Sequence, residues 1–150
     1  MNITVLFDKE NQREEISLMK SWNLSHQLNF IGFDIKAGEE NLDLADIEAT
    51  TLFIVLIGES TRFLDRNFLA SLTLLVASTR AILCLNLNGF VGLDENHCPR
   101  TLWDCGAIHM PFGSEKEINY WLDHIKHDAR VEQRTGSFHF KKHSGSFDLE

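Results

Sequence analysis

The sequence contains no apolar run that approaches the roughly 18 to 20 residues a membrane-spanning helix needs, so a membrane partner is not expected. It also lacks the basic start and longer apolar core of a signal peptide, which makes a cytoplasmic location the expectation. Cysteine is scarce. Cys84, Cys98 and Cys105 are odd in number and show no C-x-x-C spacing, which favours free thiols over a disulfide framework. Positive charge is short as well: a net charge of -8 does not supply the basic face that nucleic-acid binding requires.

Several site motifs are missing too. No G-x-G-x-x-G and no G-x-x-x-x-G-K-[ST] follows any strand-like run, which removes the usual dinucleotide and phosphate loops. A flavodoxin-type phosphate cradle needs small hydroxyl residues after the first strand, and "DKENQR" there is bulky and has none. A phospho-accepting receiver needs an aspartate where the third strand ends in Gly58 and Glu59. "IGES" offers Ser60 but no following glycine, so no nucleophile elbow forms there. His97, Cys98, Cys105 and His109 have zinc-compatible side chains, but their spacing matches no zinc pattern and no metal site is expected.

What is present is regular alternation. "NITVLF" (2–7), "LNFIGFDI" (28–35), "TLFIVLI" (51–57), "AILCLNLNG" (81–89) and "GAIHM" (106–110) read as strands. Between them lie helical patterns: Ile16, Met19 and Trp22; then 41–50 with Asn41 as cap; then 62–78 with Leu64, Phe68, Leu72, Leu75 and Val76. Residues 114–125 form a last helix, opened by a capping box of Ser114 and Glu117. Helices between strands imply a parallel sheet covered on both faces. The expected fold is therefore α/β, a flavodoxin-like three-layer sandwich with a five-stranded parallel sheet in order 2-1-3-4-5. Phe53, Val55, Ile57, Leu72, Leu75, Ile82 and Trp121 are its expected core.

Residues 1–127 read as the domain and 128–150 as a C-terminal tail, in which Phe138 and Phe140 alternate with polar residues as an added edge strand would. Residues 34–48 carry Asp34, Glu39, Glu40, Asp43, Asp46 and Glu48 against Lys36, and read as a solvated acidic face.

"VLFDKENQREEISLMKSW", "TLFIVLIGESTR", "RAILCLNLNG" and "IHMPFGSEKEINYWLDHI", in that order over residues 2–127, resemble the bacterial TIR-like family. That Toll/interleukin-1-receptor-like group includes the signal-producing subunits of Thoeris antiphage systems. Active members cleave the nicotinamide–ribose bond of NAD, and some cyclise the product into a signal. The resemblance implies a nucleotide cleft at the carboxyl edge of the sheet, with Phe7, Asp8, Gly58, Glu59 and Ser60 as its contacts. It implies NAD or a related nucleotide as ligand rather than a tightly bound cofactor. It also implies a partner, either a second copy or another defence-system protein, because such domains act by associating. The surplus apolar residues of 62–78 and the tail are the expected contact surfaces.

The family's catalytic glutamate lies on the helix after strand three, where its carboxylate can stabilise an oxocarbenium-like state. Aligning "LNG" on the family's "LNG" places Ser71 or Ala70 at that position, and no glutamate occurs between Glu59 and Glu95. A module that binds or assembles without turnover is the first expectation. The alternative is a divergent NAD-cleaving enzyme in which Glu59, Asp65 or Asp8 replaces the lost carboxylate.

Overall fold

A computed structural model of the chain describes residues 2–24, 26–35, 41–78, 80–128, 136–140 and 147–149. Residues 36–40 of the acidic run, and residues 129–135, 141–146 and 150 of the tail, lie outside the described residues.

The sheet grows from strands that are apolar on both sides. β1 (Asn2–Asp8) sits between β2 (Gln27–Phe33) and β3 (Leu52–Ile57), and β4 (Ala81–Asn86) and β5 (Cys105–Pro111) follow. All these pairings are parallel, so the five strands run in the order 2-1-3-4-5. β3 is buried along its whole length, as a central parallel strand must be. Its side chains alternate between two cores. Leu52, Ile54 and Leu56 meet Ile16 and Met19 of α1 (Arg13–Ser21) and Ile118, Trp121 and Leu122 of α4 (Glu115–Asp128). Phe53, Val55 and Ile57 meet Ile47 of α2 (Leu44–Ala49) and Phe68, Leu72 and Leu75 of α3 (Arg66–Ala77). Every expected core residue is buried.

Helix starts differ from the sequence pattern where a side chain competes with it. The pattern 62–78 is split: Thr61–Phe63 form a 3-10 turn, and α3 begins only after Asp65. The Asp65 carboxylate accepts the Phe68 N–H at 3.0 Å, which satisfies a donor that the first helical turn leaves open. α2 is capped by Asp43, not by Asn41. Asp43 and Asp46 each accept the other's backbone N–H, at 2.8 and 3.0 Å, a reciprocal box that Asn41 has no partner to form. Ser114 caps α4 as expected, through Glu117 N–H at 3.3 Å.

The sheet also extends further than five strands. β6 (Gly136–Phe140) pairs parallel with β5, and β7 (Phe147–Leu149) pairs antiparallel with β6. The backbone around Phe138 and Phe140 thus continues the sheet edge.

Candidate functional site

In a 2-1-3-4-5 sheet the strand order reverses between β1 and β3, and the loops leaving their carboxyl ends part to open a crevice. A cleft of about 500 Å³ lies there. One wall comes from the start of α1 and its approach: Asn11, Gln12 and Glu15. The floor is the end of β3 and the turn after it: Ile57, Gly58, Glu59 and Ser60. The opposite wall comes from the β4–β5 connection: Leu87, Asn88 and His97.

The floor is built tightly. Thr61 Oγ1 accepts the Gly58 N–H at 2.8 Å and donates to the Leu56 carbonyl at 3.2 Å, which folds the chain back under the cleft. Gln12, almost fully buried, accepts the Asp8 N–H at 2.8 Å and donates to Thr61 Oγ1 at 3.3 Å. It thereby ties the end of β1 to the end of β3. A Cβ at Gly58 would meet Gln12 Nε2 at 3.0 Å and Leu87 Cδ1 at 3.3 Å, so any larger residue there would have to displace these two side chains by a few tenths of an ångström.

Asp8 holds the loop after β1. Its Oδ1 accepts the N–H groups of Glu10 (3.0 Å) and Asn11 (3.1 Å). Its Oδ2 accepts Asn11 Nδ2 (2.9 Å) and the Ser60 hydroxyl (2.5 Å). Burial pushes this carboxyl up, but the bonds from Ser60, Asn11 and Glu10 outweigh it and hold the group below the usual carboxylate range. These four bonds engage both carboxylate oxygens, and through Ser60 Asp8 ties the loop after β1 to the turn after β3.

The far wall rests on a second buried carboxylate. Asp94 Oδ2 takes His97 Nδ1 at 2.6 Å and Asn88 Nδ2 at 3.0 Å, and Oδ1 takes the Asn96 N–H at 3.1 Å. Here too burial pushes the carboxyl up, and His97, Asn88 and Asn96 bring it below the usual range. Asn86 Nδ2 donates to the carbonyls of Phe90 (2.9 Å) and Gly92 (2.7 Å), which bends the chain after β4. Gly89 takes φ +82° in that bend, and so "LNLNG" leaves the strand at Asn86 instead of continuing to residue 89.

The expected site residues therefore separate. Gly58, Glu59 and Ser60 line the cleft, and Asp8 lies directly behind Ser60. Phe7 packs edge-on against Phe30, with ring centroids 6.4 Å apart, and joins the core on the α1 side. Asp65 caps α3 and lines a smaller hollow with Arg62, Phe68 and Pro99. Ser71 is buried and holds the residues before α2, accepting the Leu42 N–H at 3.0 Å, with Asn67 O at 2.7 Å and Asn41 Oδ1 at 3.1 Å from its hydroxyl.

Asn11, Gln12, Glu15, Asn88 and His97 are cleft residues that motif reading passes over. The signal available for Gln12 and Glu15 is their i, i+3 spacing at a helix start just beyond β1, which places them above the sheet edge. For His97 the signal is its i, i+3 spacing from Asp94.

The ionisable lining is two carboxylates, Glu15 and Glu59, and one imidazole, His97, with amides and a hydroxyl between them. Such a set can accept hydrogen bonds from sugar hydroxyls and donate to polar edges. Among the described residues no group of three or more His, Cys, Asp or Glu side chains is placed to hold a metal ion. No helix among them is long and apolar enough to cross a membrane. No family model matches the chain, and no curated protein matches it either.

Proposed function

We propose that the chain is a TIR-like domain of a bacterial antiphage or signalling system that holds NAD or a related nucleotide in the β1/β3 cleft. It acts through that binding and through association with a second copy or another defence protein. It does not act through the glutamate that active members use. The observation that carries this reading is a cleft at the strand-order reversal whose lining offers no carboxylate from α3. The position aligned with the family's catalyst is Ser71 or Ala70; neither lines the cleft, and the Ser71 hydroxyl is engaged with Asn67, Asn41 and Leu42. Glu59 and Glu15 supply acceptors suited to ribose hydroxyls.

Calorimetric titration of purified protein with NAD tests the reading. Saturable binding is expected, weakened about tenfold by Glu59→Ala, since a hydrogen bond to a charged group contributes about 1.5 kcal/mol. No NAD consumption is expected in the same samples. A second reading, a divergent NAD-cleaving enzyme, draws on one observation: Glu59 lies on the cleft floor. NAD turnover abolished by Glu59→Gln but untouched by Ser71→Ala would establish that second reading and overturn the first.

A further inference from the structure

The two walls of the cleft differ in the charge they can present. The α1 wall and the floor contribute the carboxyl groups of Glu15 and Glu59. The β4 wall contributes His97, and among the described lining residues no other side chain can carry positive charge. A nucleotide has two kinds of polar surface: sugar hydroxyls, which suit carboxylate acceptors, and phosphates, which need a donor and are repelled by carboxylates. His97, on the β4–β5 connection, is therefore the one described lining side chain that can offer a phosphate a cationic donor.

His97 is built for such a contact. Its Nδ1 is fixed by Asp94 at 2.6 Å, and Asp94 is itself buried and anchored by Asn88 and the Asn96 N–H. The backbone repeats the anchor, because the Asp94 carbonyl accepts the N–H groups of His97 (3.2 Å) and Cys98 (2.8 Å). With Nδ1 engaged, Nε2 is the ring nitrogen left to meet a ligand; His97 lines the cleft and its side chain is 30% exposed. A carboxylate behind one ring nitrogen fixes the ring's orientation and tautomer, so the other nitrogen acts in a defined direction.

We infer that His97 is the phosphate-contacting residue of the cleft, with Asp94 as its positioning residue, so that the ligand taken is a phosphorylated nucleoside whose sugar faces Glu15 and Glu59. This rests on the nucleotide reading above. It adds which wall takes the phosphate and which side chain selects for it.

The test compares NAD with nicotinamide riboside, which has the sugar and the ring but no phosphate. Dissociation constants are measured by calorimetry for the full-length wild type, His97→Gln, His97→Lys and Asp94→Asn. His97→Gln is expected to weaken NAD about tenfold, the value of one charge-assisted hydrogen bond, and to change nicotinamide riboside less than about twofold. His97→Lys restores a cation and should keep most of the NAD affinity. Asp94→Asn should lose NAD affinity with the same ligand selectivity. Equal losses for both ligands in His97→Gln, or no loss for NAD, would overturn the assignment while leaving nucleotide binding intact. Failure of folded wild type to bind either ligand would overturn the nucleotide reading and this assignment with it.

Discussion

Asp8 shows how one carboxylate can hold two loops together at the edge of a cleft. Four hydrogen bonds converge on it, and one of them, from Ser60, crosses from the β3 turn to the β1 loop. The folded-state pKa lies below the unfolded value, so the group contributes stability that is complete above the unfolded carboxylate pKa. That contribution is lost as pH falls through the lower folded value. Asp8→Asn keeps the shape but removes the charge and turns one acceptor into a donor facing other donors. It is expected to cost about 1 to 2 kcal/mol at neutral pH. Denaturant titrations of wild type and variant should show a constant gap from pH 7 to 5 and a shrinking one below about pH 4. A gap independent of pH would mean that the side chain's shape, and not its charge, holds the loop.

At the scale of elements, α3 separates capping from catalysis. The sequence offers Asp65 as a replacement carboxylate, and in the structure its oxygen closes the first turn of α3 at 3.0 Å from Phe68 N. Asp65→Ala should destabilise the protein by about 0.5 to 2 kcal/mol through the lost cap. NAD affinity should stay unchanged, because the residue lines a different hollow. A selective loss of NAD binding at unchanged stability would return Asp65 to the site. The elements themselves were legible because buried parallel strands are continuously apolar and the helices carry one apolar stripe each, as β3 and α4 show. Helix starts were less so. Choosing Asp43 over Asn41, or Asp65 over the residues before it, depends on which oxygen reaches which N–H, and periodicity does not record that. The cleft was half legible for a similar reason. Gly58, Glu59 and Ser60 follow a strand so apolar that its carboxyl end is evident, whereas His97 reaches the same space from a loop whose path Asn86, Asn88 and Asp94 set. The apolar residues of 62–78 also divide at this scale. Phe68, Leu72 and Leu75 are buried, and Leu64, Leu74 and Val76 pack partly against them, which leaves Phe63 and Leu69 more than half exposed.

Across the whole molecule, the sheet has two edges of different character. β2 ends one side, and the other continues past β5 through β6 and β7. β5 is thus an interior strand: its backbone pairs with β4 on one side and with β6 on the other. Three of its residues, Ala107, His109 and Met110, are buried. A chain ending at Asp128 would keep all five strands of the 2-1-3-4-5 sheet but convert β5 into an edge with unpaired backbone groups. Unpaired edges of apolar strands invite pairing with another chain. The shortened protein is therefore expected to have a lower denaturation midpoint than the full chain and to self-associate more strongly in sedimentation at tens of micromolar. None of the residues lining the cleft belongs to β5, β6 or β7, so under the proposed function NAD affinity measured on the monomeric fraction should persist. If removal of residues 129–150 leaves both the midpoint and the association state unchanged, β6 and β7 add nothing to the stability of the sheet. In that case the five-stranded unit alone sets the protein's stability.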